Sequence, residues 1–519
     1  MVNISPTRKR PRKRARRDAD ALPSASLETI SQYQSESNIA VREHMQPVSL
    51  IQYCIKVIAE NAETIVKTMG DEYAKYLLRE IPPHVQERLL PAIARTAQIS
   101  ENLLINFTLP HMEAIRIPGP CLLEPNLLKR IGNLRFVTTL DLTNQSKLLD
   151  KELANALVPK NIPTLPVLST LILGGCVKVG DSTVRIASQA THLRCINLNY
   201  TATTTEGITH LLARAKNLEV LKLAFVSNLK PANVIECLDR AVDLAVGYRH
   251  VPLSKLIALK LKGTAVSDAA VDYFVRLCKS TLQRLDISLT KASKLSFLKF
   301  LQPWNITKLL LNGLPLSPKA FNDLKKHLLD LPNDELARLR YLGLSDIGIN
   351  GLGTPLNDAL FGALLPILQK CQLGRLNLAR NHLLGTSVVI WIDFFDMVVI
   401  NLVRLDISAL TRIDFARLFS SSDDAYCFEN MQTVVLNDCK VSDSVLGFIC
   451  HCPNLEELYI KGSLISVQAL VRILRDCPKL RTMNLTSCRG IPVELRRNVF
   501  EAWDKDGLDS YINDEYVVE

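Results

Sequence analysis

The sequence predicts an α/β solenoid, a horseshoe with short parallel strands on its concave face and helices on its convex face. The first sign is a unit, Leu-x-x-Leu-x-Leu, that returns from about Val137 to Leu485; Leu168, Leu171 and Leu173 form one copy, and Leu373, Leu376 and Leu378 another. About thirteen copies open at Val137, Leu168, Leu193, Leu218, Leu256, Leu282, Ile306, Leu339, Leu373, Leu402, Met431, Leu455 and Leu480, commonly at roughly 24–26 residues. A fixed period of this size means that each unit lends one strand to a shared sheet and stacks on its neighbours. The second sign is the residue three past the last strand leucine: Cys176, Thr264, Thr290, Asn381, Cys439 and Cys488. Each can hydrogen-bond backbone groups where the chain leaves the strand. The third sign is helical periodicity after a polar turn. Val266-Ser267-Asp268 precedes Ala269, Ala270, Tyr273, Phe274 and Leu277, and Val441-Ser442-Asp443 precedes Val445, Leu446, Phe448 and Ile449. Ser and Asp are good N-caps, and the apolar residues that follow share one face.

Composition fits an array. Hydrophobic residues make up 47% of the 519 and aromatics only 6%, so the core is chiefly aliphatic. One unit buries about four to seven aliphatic side chains at roughly 1.5–3 kcal/mol each. Ordering its ~25 residues costs on the order of 1–2 kcal/mol apiece, so a lone unit cannot fold and the ends need caps. The helical segment before Leu134 is expected at one end, and Val493 to Trp503 at the other. Thirteen cysteines, an odd number without a small-domain framework, point to buried thiols in a reducing compartment. The apolar run Val388 to Val403 carries Asp393 and Asp396, which makes it a buried solenoid helix; no membrane partner is expected.

The net charge of +10 is uneven. The first twenty residues hold Arg8, Lys9, Arg10, Arg12, Lys13, Arg14, Arg16 and Arg17 against Asp18 and Asp20. The cluster Lys9, Arg10, Arg12, Lys13, Arg14, Arg16 and Arg17 resembles a nuclear import signal, which implies importin as a partner and the nucleus, with the cytoplasm, as location. Nucleic acid is expected to meet the chain only through this tail, and without interleaved aromatics to stack bases. Residues 24–37 are rich in Ser, Gln and Glu and read as a tether. The end is acidic, with Glu501, Asp504, Asp506, Asp509, Asp514, Glu515 and Glu519 against Lys505. The expected organisation is a disordered basic tail over 1–45, a helical segment over 46–118, repeats over 119–490, and a cap with acidic tail over 491–519.

The repeat register resembles the cysteine-containing, ribonuclease-inhibitor-like class of leucine-rich repeats, familiar from substrate receptors of ubiquitin ligases. Ahead of it, Ser49-Leu50-Ile51-Gln52-Tyr53-Cys54-Ile55-Lys56-Val57-Ile58 reads as a helix start with Leu50, Cys54 and Val57 or Ile58 on one face. It resembles the elongin-C-binding BC-box, matched by Ser49, Leu50, Cys54 and Ile58. In that motif a Leu fills an adaptor pocket and a Cys one turn later packs closely. Ile81, Pro82, Val85 and Leu89 resemble a cullin-2-type box. The resemblance implies a non-catalytic substrate-recognition subunit of an elongin/cullin-RING ligase. Ile81 to Leu90 also loosely resembles the first F-box helix, which implies a Skp-type adaptor instead. The alternative from another class is a nuclear repeat scaffold in DNA repair or chromatin processes without ligase assembly.

The residues flanking the strand leucines line the concave face of such a fold. Lys260, Arg284, Lys308, Tyr341, Arg375 and Arg404 are the candidate contacts for a protein substrate, within a wider set holding Lys222, Lys262, Asp286, Asn377, Asp406, Glu457 and Tyr459. Their basic middle suits an acidic or phosphorylated peptide. No phosphate loop, His-Glu-x-x-His or Gly-x-Ser-x-Gly motif is present, so no catalytic residue and no cofactor is expected. Cys450-His451-Cys452 lacks a partner pair and reads as structural, so no metal is expected.

Overall fold

The computed structural model describes residues 39–41, 49–70, 76, 79–96, 101–119, 123, 125–158, 167–348, 353–419 and 427–504. A single 15-stranded sheet runs through them. Its parallel strands follow the chain as β2 (Ala114–Arg116), β3 (Thr139–Asp141), β4 (Thr170–Ile172), β5 (Cys195–Asn197), β6 (Val220–Lys222), β7 (Ala258–Lys260) and β8 (Arg284–Asp286). They continue as β9 (Lys308–Leu310), β10 (Tyr341–Gly343), β11 (Arg375–Asn377), β12 (Arg404–Asp406), β13 (Thr433–Val435), β14 (Glu457–Tyr459) and β15 (Thr482–Asn484). Each pairs in register with the next, so equivalent residues form straight rows across the sheet. The central residue of each strand, such as Leu171, Leu285 or Leu405, is buried between sheet and helices, as the period-two alternation requires.

Where the residue leaving a strand is Cys, Thr or Asn it has the predicted role, whereas Val226, Leu314, Ile347 and Leu410 fill the same place as apolar residues. Asn381 donates from Nδ2 to the carbonyls of Leu344 and Leu378, both at 2.8 Å, and accepts from the Ile347 amide at 3.0 Å. Cys176, Cys439 and Cys488 donate to the carbonyls of Leu142, Ile407 and Ile460, each in the preceding repeat. Thr264 and Thr290 bond the carbonyls of Leu261 and Ile287 in their own repeat. Burial pushes the thiols of Cys176 and Cys439 up to about 12, so these are inert donors rather than nucleophiles. The apolar run forms the helix Val388–Met397, with Trp391, Phe394 and Phe395 buried and the indole N–H donating to Asp358 at 3.1 Å. Among the described residues no helix is long and apolar enough to cross a membrane.

Two boundaries differ from the sequence reading. The sheet begins one repeat early: Met112, Ile115 and Ile117 supply the apolar unit of β2, and Gln145 donates to the Ile117 carbonyl at 2.9 Å. Met and Ile in place of leucine hid this copy inside the segment assigned to helices. The tail over 1–45 also contains a strand, β1 (Ile39–Val41), which pairs antiparallel with β15. A short β-prone run there covers an edge that would otherwise be open. The nuclear import cluster lies outside the described residues.

Candidate functional site

The helix α1 (Leu50–Met69) starts where the motif places it. Ser49 is its N-cap in a reciprocal capping box: the Gln52 amide donates to Ser49 Oγ at 3.3 Å, and the Ser49 amide to Gln52 Oε1 at 3.2 Å. Ile55, Ala59 and Ala62 are buried on one face, against α2 (Pro83–Ala94) and α3 (Glu101–Phe107) at the first end of the array. The opposite face is bare: Leu50 is 76% exposed, Tyr53 60% and Val57 39%, and Cys54 is exposed between them. Positions 50, 53, 54 and 57 follow helical spacing, so they make one stripe. Ile58, the fourth motif residue, turns toward the cap and is half-buried against it.

The second box is only partly available. Pro82, at the N-cap of α2, is exposed, as are Pro83 and His84. Ile81 and Val85 are half-buried against the core, and Leu89 is 1% exposed within it. Leu89 is therefore corrected from a cullin contact to a cap core residue. Its spacing from Val85 puts it on the inward face of α2 beside Leu90 and Ile93.

On the concave face the candidate residues are brought together as two rows. In one, Arg284, Lys308, Tyr341, Arg375 and Arg404 stand side by side on β8 to β12. In the other, Lys222 and Lys260 lead to Asp286, and Lys262 lies just beyond Lys260. Adjacent strands are about 4.8 Å apart, so this is a dense field of cations. Arg404 meets Glu457 at 3.6 Å, and the Lys308 ammonium stands 4.7 Å from the Tyr341 ring centre. Among the described residues, Lys222, Lys260, Lys262, Arg284, Lys308 and Arg375 close no ion pair.

Burial lowers the Lys260 pKa; Asp286 opposes this, and Lys262 and Lys222 add to it. Lys308 is lowered by burial too, against Asp286 and with Lys260, Arg375 and Arg284. A lowered lysine means that, as pH rises, the folded state releases its proton before the unfolded chain does. Stability then increases with pH from the folded pKa up to the ordinary lysine value, and at neutral pH the cost of burying the charge, with the smaller repulsion from neighbouring cations, is fully present. Lys308→Met is accordingly expected to leave the urea midpoint unchanged or raise stability by up to about 1 kcal/mol. A fall larger than that in equilibrium unfolding would mean that Lys308 holds the fold together rather than serving an external anion.

Among the described residues no group of three or more His, Cys, Asp or Glu side chains is placed to hold a metal ion. In the Cys450-His451-Cys452 cluster, His451 Nδ1 bonds the Gly447 carbonyl at 2.8 Å and the buried Cys452 thiol bonds Phe448 O at 3.4 Å. Burial, then Asp476, pushes the Cys450 thiol up to about 12, far from a ligating thiolate.

No protein-family model and no curated protein matches the chain. Solved structures that resemble it include an internalin of Listeria monocytogenes str. 4b F2365, at 16% identity over 78% of this chain and 95% of that one, with TM-score 0.42. Rad7, solved in its complex with Elc1 in yeast, matches at 15% identity over 82% of this chain and 96% of that one, with TM-score 0.49. A leucine-rich-repeat protein of Leptospira interrogans matches at 16% identity over 75% and 93%, with TM-score 0.29. By its own strand ladder and the Cys, Thr and Asn donors that leave several of its strands, the chain is an α/β leucine-rich-repeat solenoid.

Proposed function

We propose that the chain is the substrate-recognition subunit of an elongin/cullin-RING E3 ubiquitin ligase, holding a protein substrate on its concave face. The observation that carries this reading is the exposed stripe of α1. Leu50, Tyr53, Cys54 and Val57 face solvent on a helix whose other side is already spent on the cap. A helix needed only as a cap has no use for an outward apolar stripe, whereas a groove on an adaptor does. Elongin C would cover Leu50 and Cys54. The cullin would meet the Pro82 to His84 end of α2, with Ile81 and Val85 at its margin. A RING partner would bring the charged conjugating enzyme, and the chain itself would supply position. The basic arm would take the complex into the nucleus by way of importin.

Co-expression with elongin C tests the reading. The wild-type chain is expected to co-purify with it. Leu50→Ala combined with Cys54→Phe is expected to abolish recovery at an unchanged melting temperature, since neither side chain supports the core. Loss of the Leu50 contact alone removes roughly 1.5–3 kcal/mol, at least tenfold in affinity. A wild-type chain that recovers neither elongin C nor any cullin would leave a repeat scaffold without ligase assembly.

A further inference from the structure

We propose that the rim of the concave face at Tyr200, Phe225 and Leu289 is an apolar ledge that seats one aromatic or aliphatic side chain of an acidic peptide, whose carboxylates lie on the adjoining cations. The inference deepens the reading of the concave face as the substrate surface. It starts from a backbone regularity. The third residue past a strand has a left-handed φ in repeat after repeat: Asn144 at 62°, Gly175 at 82°, Tyr200 at 58°, Phe225 at 56°, Gly263 at 68°, Leu289 at 57°, Gly313 at 66° and Asp346 at 57°. The conformation belongs to the fold; the side chain in it is the variable. Glycine, asparagine and aspartate accept it readily, and bulky apolar side chains are disfavoured there. Tyr200, Phe225 and Leu289 nevertheless take it within four consecutive repeats, and Tyr200 and Leu289 are exposed.

The glycines beside them complete the ledge, Gly263 between Phe225 and Leu289 and Gly313 one repeat beyond. A Cβ on Gly263 would collide with the Phe225 ring, and one on Gly313 with the Leu289 side chain. Each apolar group therefore leans over a bare stretch of backbone on the next repeat. Tyr200 stacks on Phe225 with centroids 4.7 Å apart and planes 12° off parallel, which holds both rings still. The Lys262 ammonium lies 5.7 Å from the Phe225 ring centre. Lys222, Lys260 and Arg284 belong to the same repeats, on β6, β7 and β8. An apolar shelf bordered by cations that close no ion pair among the described residues complements an apolar side chain flanked by Asp or Glu.

The same chemistry invites comparison with a single-stranded nucleic acid, and the ring geometry favours the peptide. Phe225 lies between Tyr200 and the Gly263 backbone, so both of its faces are occupied. Stacking successive bases needs an open face for each. The ledge offers edges and one outer face, which suits a single side chain.

The test uses the full-length chain, short Glu-rich synthetic peptides with one central Phe, Leu or Ala, and an oligothymidylate, each titrated by fluorescence anisotropy. Phe and Leu peptides are expected to bind about tenfold tighter than the Ala peptide. Tyr200→Asn with Phe225→Asn is expected to erase that preference while leaving Ala-peptide affinity and the melting temperature unchanged, because Asn144 holds the same backbone conformation. Leu289→Gly, matching Gly263 and Gly313, is the second variant and should weaken the preference at full stability. The proposal is overturned if the wild type shows no preference, if the preference survives both variants, or if oligothymidylate rather than peptide loses affinity with the two rings. Elongin C recovery through α1 is read separately, so failure of the ledge and failure of the ligase reading are distinct results.

Discussion

Reversing three charges, Arg284→Glu, Lys308→Glu and Arg375→Glu, is expected to reduce binding of a Glu-rich peptide by at least about a hundredfold. These side chains lie on β8, β9 and β11, in one row with Tyr341 between the last two. Each reversal removes an attraction and adds a repulsion, and roughly 1 kcal/mol per partially exposed pair already gives that factor for three sites. Two further features make the prediction sharp. Among the described residues none of the three cations closes an internal ion pair, so the variant should keep the fold and its melting temperature. Wild-type affinity should also fall steeply with added salt, since the field lies on an open face within reach of screening ions. Raising the pH should weaken binding before ordinary lysines titrate, because burial has lowered Lys260 and Lys308. Peptide binding that is unchanged in the triple variant would show that the concave cations do not hold the ligand.

Why the fold was legible and the surfaces less so follows from what each requires. The strand leucines must be buried in every repeat, so the pattern states the sheet directly; Leu171, Leu285 and Leu376 stand where the spacing puts them. The exit donors were equally plain, since a buried carbonyl demands a partner and Cys, Thr and Asn are the side chains that fit. What failed were positions with two readings. Leu89 satisfies a docking pattern and a cap core alike, and only packing of α2 decides between them. Ile39 to Val41 offered three residues, too few for periodicity, and their partner lies more than four hundred residues along the chain. The ledge was missed for another reason. Tyr200, Phe225 and Leu289 look like stray apolar residues in loops until the left-handed backbone and the glycines beside them place them on one rim.

Arg496→Leu is expected to destabilise the last repeats by about 2–5 kcal/mol while leaving the middle of the array intact. Arg496 belongs to the helix Val493–Asp504 and is 3% exposed. Its Nη1 donates to the Leu485 carbonyl at 3.1 Å, and its Nη2 to the carbonyls of Cys488 at 2.7 Å and Ile491 at 3.0 Å. The reason for a buried guanidinium here is positional. Leu142, Leu344, Ile407 and Ile460 hold the same place in their repeats as Leu485, and each receives a bond from the Cys or Asn of the repeat that follows. Among the described residues no repeat follows Leu485 in the sheet, and Arg496 supplies the missing donor from the cap. Leucine fills much of the volume but cannot donate, so three buried carbonyls lose a partner at once. Solenoid stability is a sum of neighbouring interfaces, so the damage should spread inward only a short way. Hydrogen exchange is the measurement: amides of β14, β15 and the antiparallel strand β1 should lose protection, while those of β7 to β11 keep theirs. Uniform loss along the whole sheet would mean that the array unfolds as one unit and that Arg496 is not an end cap in the sense argued.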